Sequence, residues 1–529
     1  MKLFKKDLYM FPDDQDPYGL KRLADANERA QGMGGQKKIE KQHAKGLMTV
    51  RERIEGLLDS GTFDEQGLLT HSDLPEAREK TPADGKVVGY GEIDRRTVFV
   101  SGDDVTVLAG AGGRKGIEKL IRNAEIAGKR GYPCIHLGDG GGARLPDIMG
   151  SIGMMSMTYP IKGPCRDRHV PLITTIMGEC YGGPTWEAAV SDIIVQVKGS
   201  VMAVVGPSIL EVATGENPDK EELGGWRLHA EVTGQVDLFA EDDMDCLRLV
   251  RKALSYFPNN ADELPTVTPC DIPQNKKLEG IFDLVPSNPR KTYDMHQVIE
   301  MIADPDSILE LKPHFDGSLI TCFARLDGHV VGFLANNPMV TAGAMGPGAC
   351  EKATGFICLC DSFHIPMIFL HDTPGFLVGK SAEERKMPLK IMTFIEALHH
   401  STVPRVSVIM RKSYGMAHCN MSGGNMENEQ LLAWPTADIS FMAPLVAVNV
   451  AFGRKLNGMA GVEEMKQAML TELTKGCGPW EAAGVNLIDK IIDPADTRIE
   501  LIKTLKRSRG TSGKSAMSQR KLASWPRMF

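Results

Sequence analysis

The chain has 529 residues, of which 42% are hydrophobic and 24% charged, with a net charge of −7. Domains hold roughly 100–200 residues, so two or three are expected, and a peptide hormone, a small disulfide scaffold and a disordered tail protein are excluded. The acidic balance and an aromatic content of 6% argue against a strongly basic nucleic-acid binder, while 55 glycines imply many tight turns and close backbone approaches.

Met1–Asp7 lacks the apolar core of a signal peptide. No uninterrupted apolar run approaches the roughly 20 residues of a membrane helix. Eleven cysteines, an odd number without paired metal spacing, read as reduced thiols in a cytoplasmic protein. Residues 1–45 are polar and charged, consistent with surface helices. At Thr49, a helical pattern begins with Thr49 as N-cap and Glu52 completing a capping box. From about Val87 the pattern becomes strand, glycine turn, helix, strand. Val170–Met177 and Asp192–Val197 are apolar and β-branched and read as buried strands. Phe257–Pro273, rich in Pro, Asn and Asp, is a linker candidate. From about Ile281 the alternation starts again. Cys358, Cys360, Asp361 and His364 cluster in a helix-like run before an apolar strand, but no second ligand set accompanies them and no metal is expected. The basic tail, from Lys506 to Lys521, reads as a solvated terminus.

A repeat organises the chain. Asp139 and Asp372 stand 233 positions apart, and so do Val170-Pro171 and Val403-Pro404, and Tyr181-Gly182 and Tyr414-Gly415. Ala109-Gly-Ala111 matches Ala342-Gly-Ala344, Glu118-Lys119 matches Glu351-Lys352, and Pro133, Leu137 and Asp94 match Pro366, Leu370 and Asp327. One ungapped offset held this long predicts two copies of one α/β domain rather than a short-period solenoid. The expected division is 1–270 and 271–529.

Each copy carries the same chemistry-bearing turns. Leu137–Arg144 ends a strand in a glycine-rich turn. Gly138, Gly140 and Ala143 formally fit a dinucleotide pattern, but no acidic residue follows a second strand at the required distance. There is no Walker lysine–serine pair. The second turn is Gly178–Thr185 in the first copy and Arg411–His418 in the second, each following an apolar strand. Small residues at a strand-to-helix turn let a ligand approach backbone N–H groups, and two such donors stabilise an enolate or a tetrahedral anion by about 3 kcal/mol per donor. A turn needed only for packing is the alternative. No Gly-x-Ser-x-Gly elbow appears, and His371-Asp372 and His399-His400 have no convincing nucleophile partner, so both read as structural.

These residues resemble the carboxyltransferase β subunits of biotin-dependent acyl-CoA carboxylases, the propionyl-CoA carboxylase group among them. The resemblance covers nearly the whole chain. It rests on Gln42–Ile54, Gly141-Gly142-Ala143-Arg144, Thr214-Gly-Glu216 with Glu222–Gly225, Asp372–Leu377, Ala433–Ala437 and Ile492–Arg498. It implies two tandem crotonase-like α/β domains of the ββα superhelix type, and a homo-hexamer built as a trimer of dimers, with each active site between the N-domain of one subunit and the C-domain of another. Acyl-CoA is expected on the N-domain and carboxybiotin on the C-domain. Carried over by motif, the N–H groups of Gly182 and Gly183 would hold the thioester oxygen as an enolate. Those of Met416 and Ala417 would hold the biotin ureido oxygen. Gly141, Gly142 and Ala143 would line the coenzyme A side, and Gly415, Phe376 and Leu377 the biotin side. In the family's mechanism carboxybiotin releases CO2, the biotin anion takes the α-proton, and the enolate attacks CO2.

The chain departs from the family pattern at both donor turns. The family usually has Gly-Gly-Ala, whereas this chain has Gly182-Gly183-Pro184 and Gly415-Met416-Ala417. Proline has no N–H to donate. After Gly379 the run Glu384–Lys390 replaces the family's usual one. Trp186 and Cys419 flank the two turns. No biotin-attachment motif and no ATP-binding half are present, so a biotin carboxylase and a biotin carboxyl carrier are the expected partners. The competing expectation is a biotin-independent decarboxylase, or another enolate-stabilising acyl-CoA enzyme, on the same scaffold. A non-catalytic assembly partner is a third.

Overall fold

A computed structural model of the chain describes residues 16, 18–154, 167–424, 426–456, 461–510 and 517–525. The expectation for Met1–Asp7, and that for residues 511–516 of the basic tail, lie outside the described residues. The chain divides into two compact units. Unit 1 holds residues up to 165 together with 172–226 and 239–251, and unit 2 holds 166–171, 227–238 and 252 onward.

Unit 1 is built on a sheet whose strands are β1 (Asp64–Glu65), β2 (Lys86–Ile93), β3 (Arg96–Asp103), β4 (Cys134–Gly138), β5 (Leu172–Ile176), β7 (Ile193–Val197) and β9 (Leu238–Ala240), hydrogen-bonded in that order. Two further strands, β6 (Glu179–Tyr181) and β8 (Val201–Ala203), form a small parallel ribbon. β2 and β3 make an antiparallel hairpin in register from Lys86↔Asp103 to Ile93↔Arg96. Its tight turn is Asp94-Arg95, both with positive φ, the conformation that matches the twist of the flanking strands. From β3 to β7 the pairing is parallel, and β4, β5 and β7 are buried along their whole length. Burial on both faces is why these strands show no apolar–polar alternation, and their few polar side chains, His136, Thr174, Thr175 and Gln196, are buried too.

Unit 2 repeats the plan. Its strands β10 (Leu309–Leu311), β11 (Leu319–Leu326), β12 (His329–Asn336), β13 (Met367–Thr373), β14 (Arg405–Tyr414), β15 (Gln430–Ala433) and β17 (Lys490–Ile491) are neighbours in that order, and β16 (Asp438–Ser440) pairs with β14. The bounds of β11 and β12 are those of β2 and β3 shifted by 233 residues. The offset also holds in rare backbone conformations. Leu108 and Ala109 have φ of 48° and 57°, and Thr341 and Ala342 have 48° and 55°.

The helices follow the sequence closely. α1 (Val50–Leu57) opens with the expected capping box. Glu52 N–H donates to Thr49 Oγ1 at 3.3 Å, and Thr49 N–H donates to Glu52 Oε2 at 2.7 Å. α2 (Arg114–Arg130) stops at Gly131 in the left-handed conformation. α3 (Gly183–Ala189) and α5 (Gly415–Asn420) start at the two donor turns. α4 (Pro347–Ser362), buried nearly all round, carries Cys358 and Cys360 in the core. His364 lies beyond it, between the Ala261 carbonyl and the Ser518 N–H.

The repeated lysines have matched roles. Lys119 Nζ donates to the carbonyls of Gly67, Ala83 and Lys86, and Lys352 Nζ to those of Lys312 and Phe315. Burial pushes both ammonium groups down to about 8. The 257–273 stretch contains neither helix nor strand. Among the described residues no helix is long and apolar enough to cross a membrane.

Candidate functional site

In each unit the strand before the glycine turn ends at a buried aspartate, and the turn wraps around it. Asp139 N–H donates to Asp103 Oδ2 at 3.2 Å, and Asp372 N–H donates to Asn336 Oδ1 at 3.2 Å. The glycine turn is then stitched to the preceding loop. Gly112 N–H donates to Gly142 O, and Arg144 N–H to Gly112 O; in unit 2, Met345 N–H donates to Gly375 O and Leu377 N–H to Met345 O. All three residues shift by 233. Arg144 itself holds the carboxylates of Asp84 and Asp147, so the arginine of the Gly-Gly-Ala-Arg motif anchors its own turn. Phe376 and Leu377 are half-buried on the matching turn of unit 2.

The glycine turn and the donor turn of unit 1, separate in sequence, meet in space. Tyr181 N–H donates to Gly140 O at 3.2 Å, and a Cβ on Gly142 would lie 3.1 Å from Tyr181 O. Gly142, at φ 90°, tolerates this approach because it has no side chain. A cavity of about 570 Å³ adjoins them. Its lining includes Ala109, Gly141 and Tyr181, together with Lys38, Lys41, Lys45 and Lys198. The local basic site that the net charge hides is therefore present beside the turns.

The availability of each expected N–H follows from its partners. Gly182 N–H donates to Val204 O at 3.1 Å, so it is engaged within the chain and is not a free donor; that expectation is corrected. Gly141, expected only to line the coenzyme A side, lines the cavity while its N–H donates to Ala109 O at 2.9 Å. The residue at the start of a helix has no intrahelical partner, and Gly183 is exposed with no acceptor for its N–H among the described residues. Pro184 follows it, buried, at the position where its missing N–H costs least. In unit 2, Met416 is 42% exposed and Ala417 1% exposed, and neither N–H has an acceptor among the described residues. Ala109, in the left-handed conformation, also has no acceptor for its N–H among the described residues.

The aspartates are neutralised by different arginines. Arg53, from α1, reaches Asp139 at 2.8 Å and Asp243 at 2.8 Å. Burial pushes Asp139 up while Arg53 pulls it down. In unit 2, Asp372 takes Arg411 and Lys412 of β14, each at 2.7 Å. Arg411 also donates to the carbonyls of Pro286, Asn288 and Lys291 and lies over Tyr293.

Fold and site together define a tandem α/β scaffold whose two halves each present a backbone donor turn, the architecture of enolate-stabilising acyl-CoA enzymes. The carboxyl transferase domain model matches residues 41–521. The chain is 36% identical over 493 residues to the propionyl-CoA carboxylase carboxyltransferase subunit of Haloferax mediterranei, covering 92% of this chain and 95% of that one. It is 34% identical over 475 residues to the methylmalonyl-CoA decarboxylase subunit alpha of Propionigenium modestum, covering 89% and 92%. The solved transcarboxylase 12S, with methylmalonyl-coenzyme A and methylmalonic acid bound, superposes with a TM-score of 0.88 at 32% identity, covering 95% and 97%. The chain belongs to the carboxyl transferase family, with tandem crotonase-like domains, and it is an enzyme of carboxyl transfer between biotin and an acyl-CoA.

Proposed function

We propose that this chain is the carboxyltransferase subunit of an acyl-CoA carboxylase or decarboxylase system acting on a short α-carboxylated acyl-CoA, with methylmalonyl-CoA the first candidate. The single observation that carries the residue assignment is the buried N–H of Ala417. A buried backbone donor without an acceptor is costly, and a ligand oxygen at this turn would relieve that cost. The donor set therefore fits the ureido oxygen of biotin, held by the N–H groups of Met416 and Ala417 beside Gly415, Phe376 and Leu377. When bound, carboxybiotin supplies or accepts the carboxyl group. In unit 1, Gly183 and Ala109 hold the thioester oxygen and stabilise the enolate, replacing the pair Gly182 and Gly183 expected from the motif. Gly141, Gly142, Ala143 and the cavity lysines take the coenzyme A side, where ammonium groups face its phosphates. Unit 1 is the acyl-CoA side and unit 2 the biotin side. The assembly we infer is a homo-hexamer served by separate biotin carboxylase and biotin carboxyl carrier proteins in the cytoplasm.

The test is decarboxylation of methylmalonyl-CoA by the purified chain with and without free biotin. Biotin-stimulated turnover is expected. Turnover that ignores biotin would favour the biotin-independent reading, and no turnover with any carboxyacyl-CoA would reject the proposal.

A further inference from the structure

Beneath the second donor turn lies a directed chain of polar side chains that the first unit lacks. Gly424 N–H donates to His418 Nε2 at 2.9 Å, so that nitrogen carries the lone pair and His418 bears its proton on Nδ1. His418 Nδ1 stands 2.9 Å from Ser413 Oγ, and Ser413 Oγ stands 3.0 Å from His371 Nδ1. The direction is thereby set: His418 donates to Ser413, and Ser413 donates to His371. The His371 ring is fully buried, with the Met421 backbone beside it as a hydrogen-bonding neighbour. Gly423 leaves room for the loop to pass the ring, since a Cβ there would lie 2.4 Å from His418 Nε2.

The positions related by 233 in unit 1 are Gly138, Cys180 and Thr185. Thr185 Oγ1 bonds only to the Cys180 and Ala203 carbonyls. The fold thus does not need the polar chain. Keeping two imidazoles and a hydroxyl in a core costs desolvation that apolar side chains would not, and its retention in one unit points to the chemistry of that unit.

We propose that the His371–Ser413–His418 chain is a positioning device that fixes the orientation of α5, and so aims the Met416 and Ala417 donors at the oxygen bound there. It ties the end of β13, the end of β14, α5 itself and the loop after α5 into one unit, so rotation of α5 about its axis would break at least one bond. Burial and the neighbouring His418 hold His371 well below the usual histidine range, and burial pushes His418 down to about 4, which keeps both rings neutral as the directed chain requires.

The proposal rests on the assignment of biotin to the second turn, and the experiment separates the two. Ser413→Ala removes the shared hydroxyl with little change of volume, and Ser413→Thr restores it. With biotin-dependent wild-type decarboxylation, Ser413→Ala raises the KM for biotin or lowers the biotin-stimulated kcat by tenfold to about 10²-fold. The KM for methylmalonyl-CoA stays within about twofold, because its donors lie in unit 1. Ser413→Thr recovers most of the loss. Equal loss toward both substrates, or no change toward biotin, overturns the proposal. Hydrogen exchange of the full-length variants supplies the second readout. Exchange over 415–420 rises about tenfold in Ser413→Ala while exchange over 183–189 does not. If the wild type ignores biotin, the biotin assignment fails by that result alone. The positioning claim then stands if exchange over 415–420 rises and falls if it does not.

Discussion

The two units are built on one plan, yet they secure the matching glycine turn by different means. In unit 2 the aspartate under the turn is held by residues of the adjacent strand, Arg411 and Lys412. In unit 1 the position equivalent to Arg411 is Gly178, where a Cβ would lie 1.8 Å from Asp139 Oδ1. No side chain fits there, and the counter-charge comes instead from Arg53 in the N-terminal helix α1. Unit 1 also buries a charged network, Lys86 with Asp103 and His136, where unit 2 has Asn336 in place of Asp103 and Phe369 in place of His136. Burial works against charge on Asp103, yet Lys86 and His136 hold it well below the usual carboxylate range. Duplication preserved the backbone geometry that presents N–H groups, and left the side chains beneath free to diverge.

The largest effect that would break this comparison is at Arg53. Arg53→Ala leaves Asp139 and Asp243 buried and unpaired, and removal of one partner from such a site costs roughly 3–5 kcal/mol. Urea unfolding should show that loss, with hydrogen exchange accelerated over β4 and β5 and unchanged over β13 and β14. Arg53→Lys should recover only part, since one ammonium cannot present the fork that meets two carboxylates. A loss below about 1 kcal/mol would mean that α1 is not the clamp of unit 1.

Next is Ala417→Pro. It installs in unit 2 what Pro184 already provides in unit 1, so the fold should tolerate it. Removing one preorganised donor costs about 10²–10³-fold in kcat. Biotin-stimulated decarboxylation should fall by that factor with the melting temperature nearly unchanged. A fall below about threefold would show that the Ala417 N–H is not a catalytic donor.

A smaller effect separates the units by pH. His418 is pushed by burial down to about 4, against an ordinary value near 6.5. A folded-state pKa below the unfolded one means that the unfolded chain gains protons first as pH falls. Stability is therefore intact above about 6.5 and declines down to about 4, by at most ~3 kcal/mol for this residue. His136 runs the other way. Burial opposes its charge, yet Glu187 and Asp103 raise its pKa, so its contribution is complete below about 6.5 and is lost only as pH rises through the folded value. Protection factors, corrected for the intrinsic slowing of exchange with acid, should fall between pH 6.5 and 4.5 over β14 and α5 before they do over β4. The reverse order would contradict the assignment of a neutral His418.

Much of this was legible in the sequence because the signals were local or periodic. The 233-residue offset gave two similar units, Thr49 and Glu52 gave a cap, and apolar β-branched runs gave the buried strands. The carboxyltransferase resemblance followed from several motifs together. What escaped was pairing across strands. Gly182 looks like a free donor in a Tyr-Gly-Gly motif, but its N–H is claimed by Val204 on the other side of the β6–β8 ribbon. His371 reads as structural in the sequence for want of a nucleophile. Its partners Ser413 and His418 come together only because β13 and β14 pair with Thr373 opposite Ser413. A signal existed: at the same offset, unit 1 has Gly138, Cys180 and Thr185. Comparing what the two copies do not share finds such residues where the shared motif cannot.

The smallest effect is the sharpest test of how far the two donor turns remain equivalent. Pro184→Ala would restore to unit 1 the backbone N–H that Ala417 has in unit 2. Proline there also pre-sets the first turn of α3, and replacing it with alanine releases about 0.4–1 kcal/mol of unfolded-state entropy that proline had removed. If the thioester oxygen takes only the Gly183 and Ala109 donors, a third N–H changes kcat with methylmalonyl-CoA by less than about threefold, and only the melting temperature moves. If the added N–H points at the same oxygen, kcat should rise about tenfold or more, as one further preorganised donor would predict. That second outcome would mean that Pro184 sets a lower ceiling on enolate stabilisation in this chain than Gly-Gly-Ala would allow, and that the two turns diverged in chemical strength as well as in the side chains that hold them.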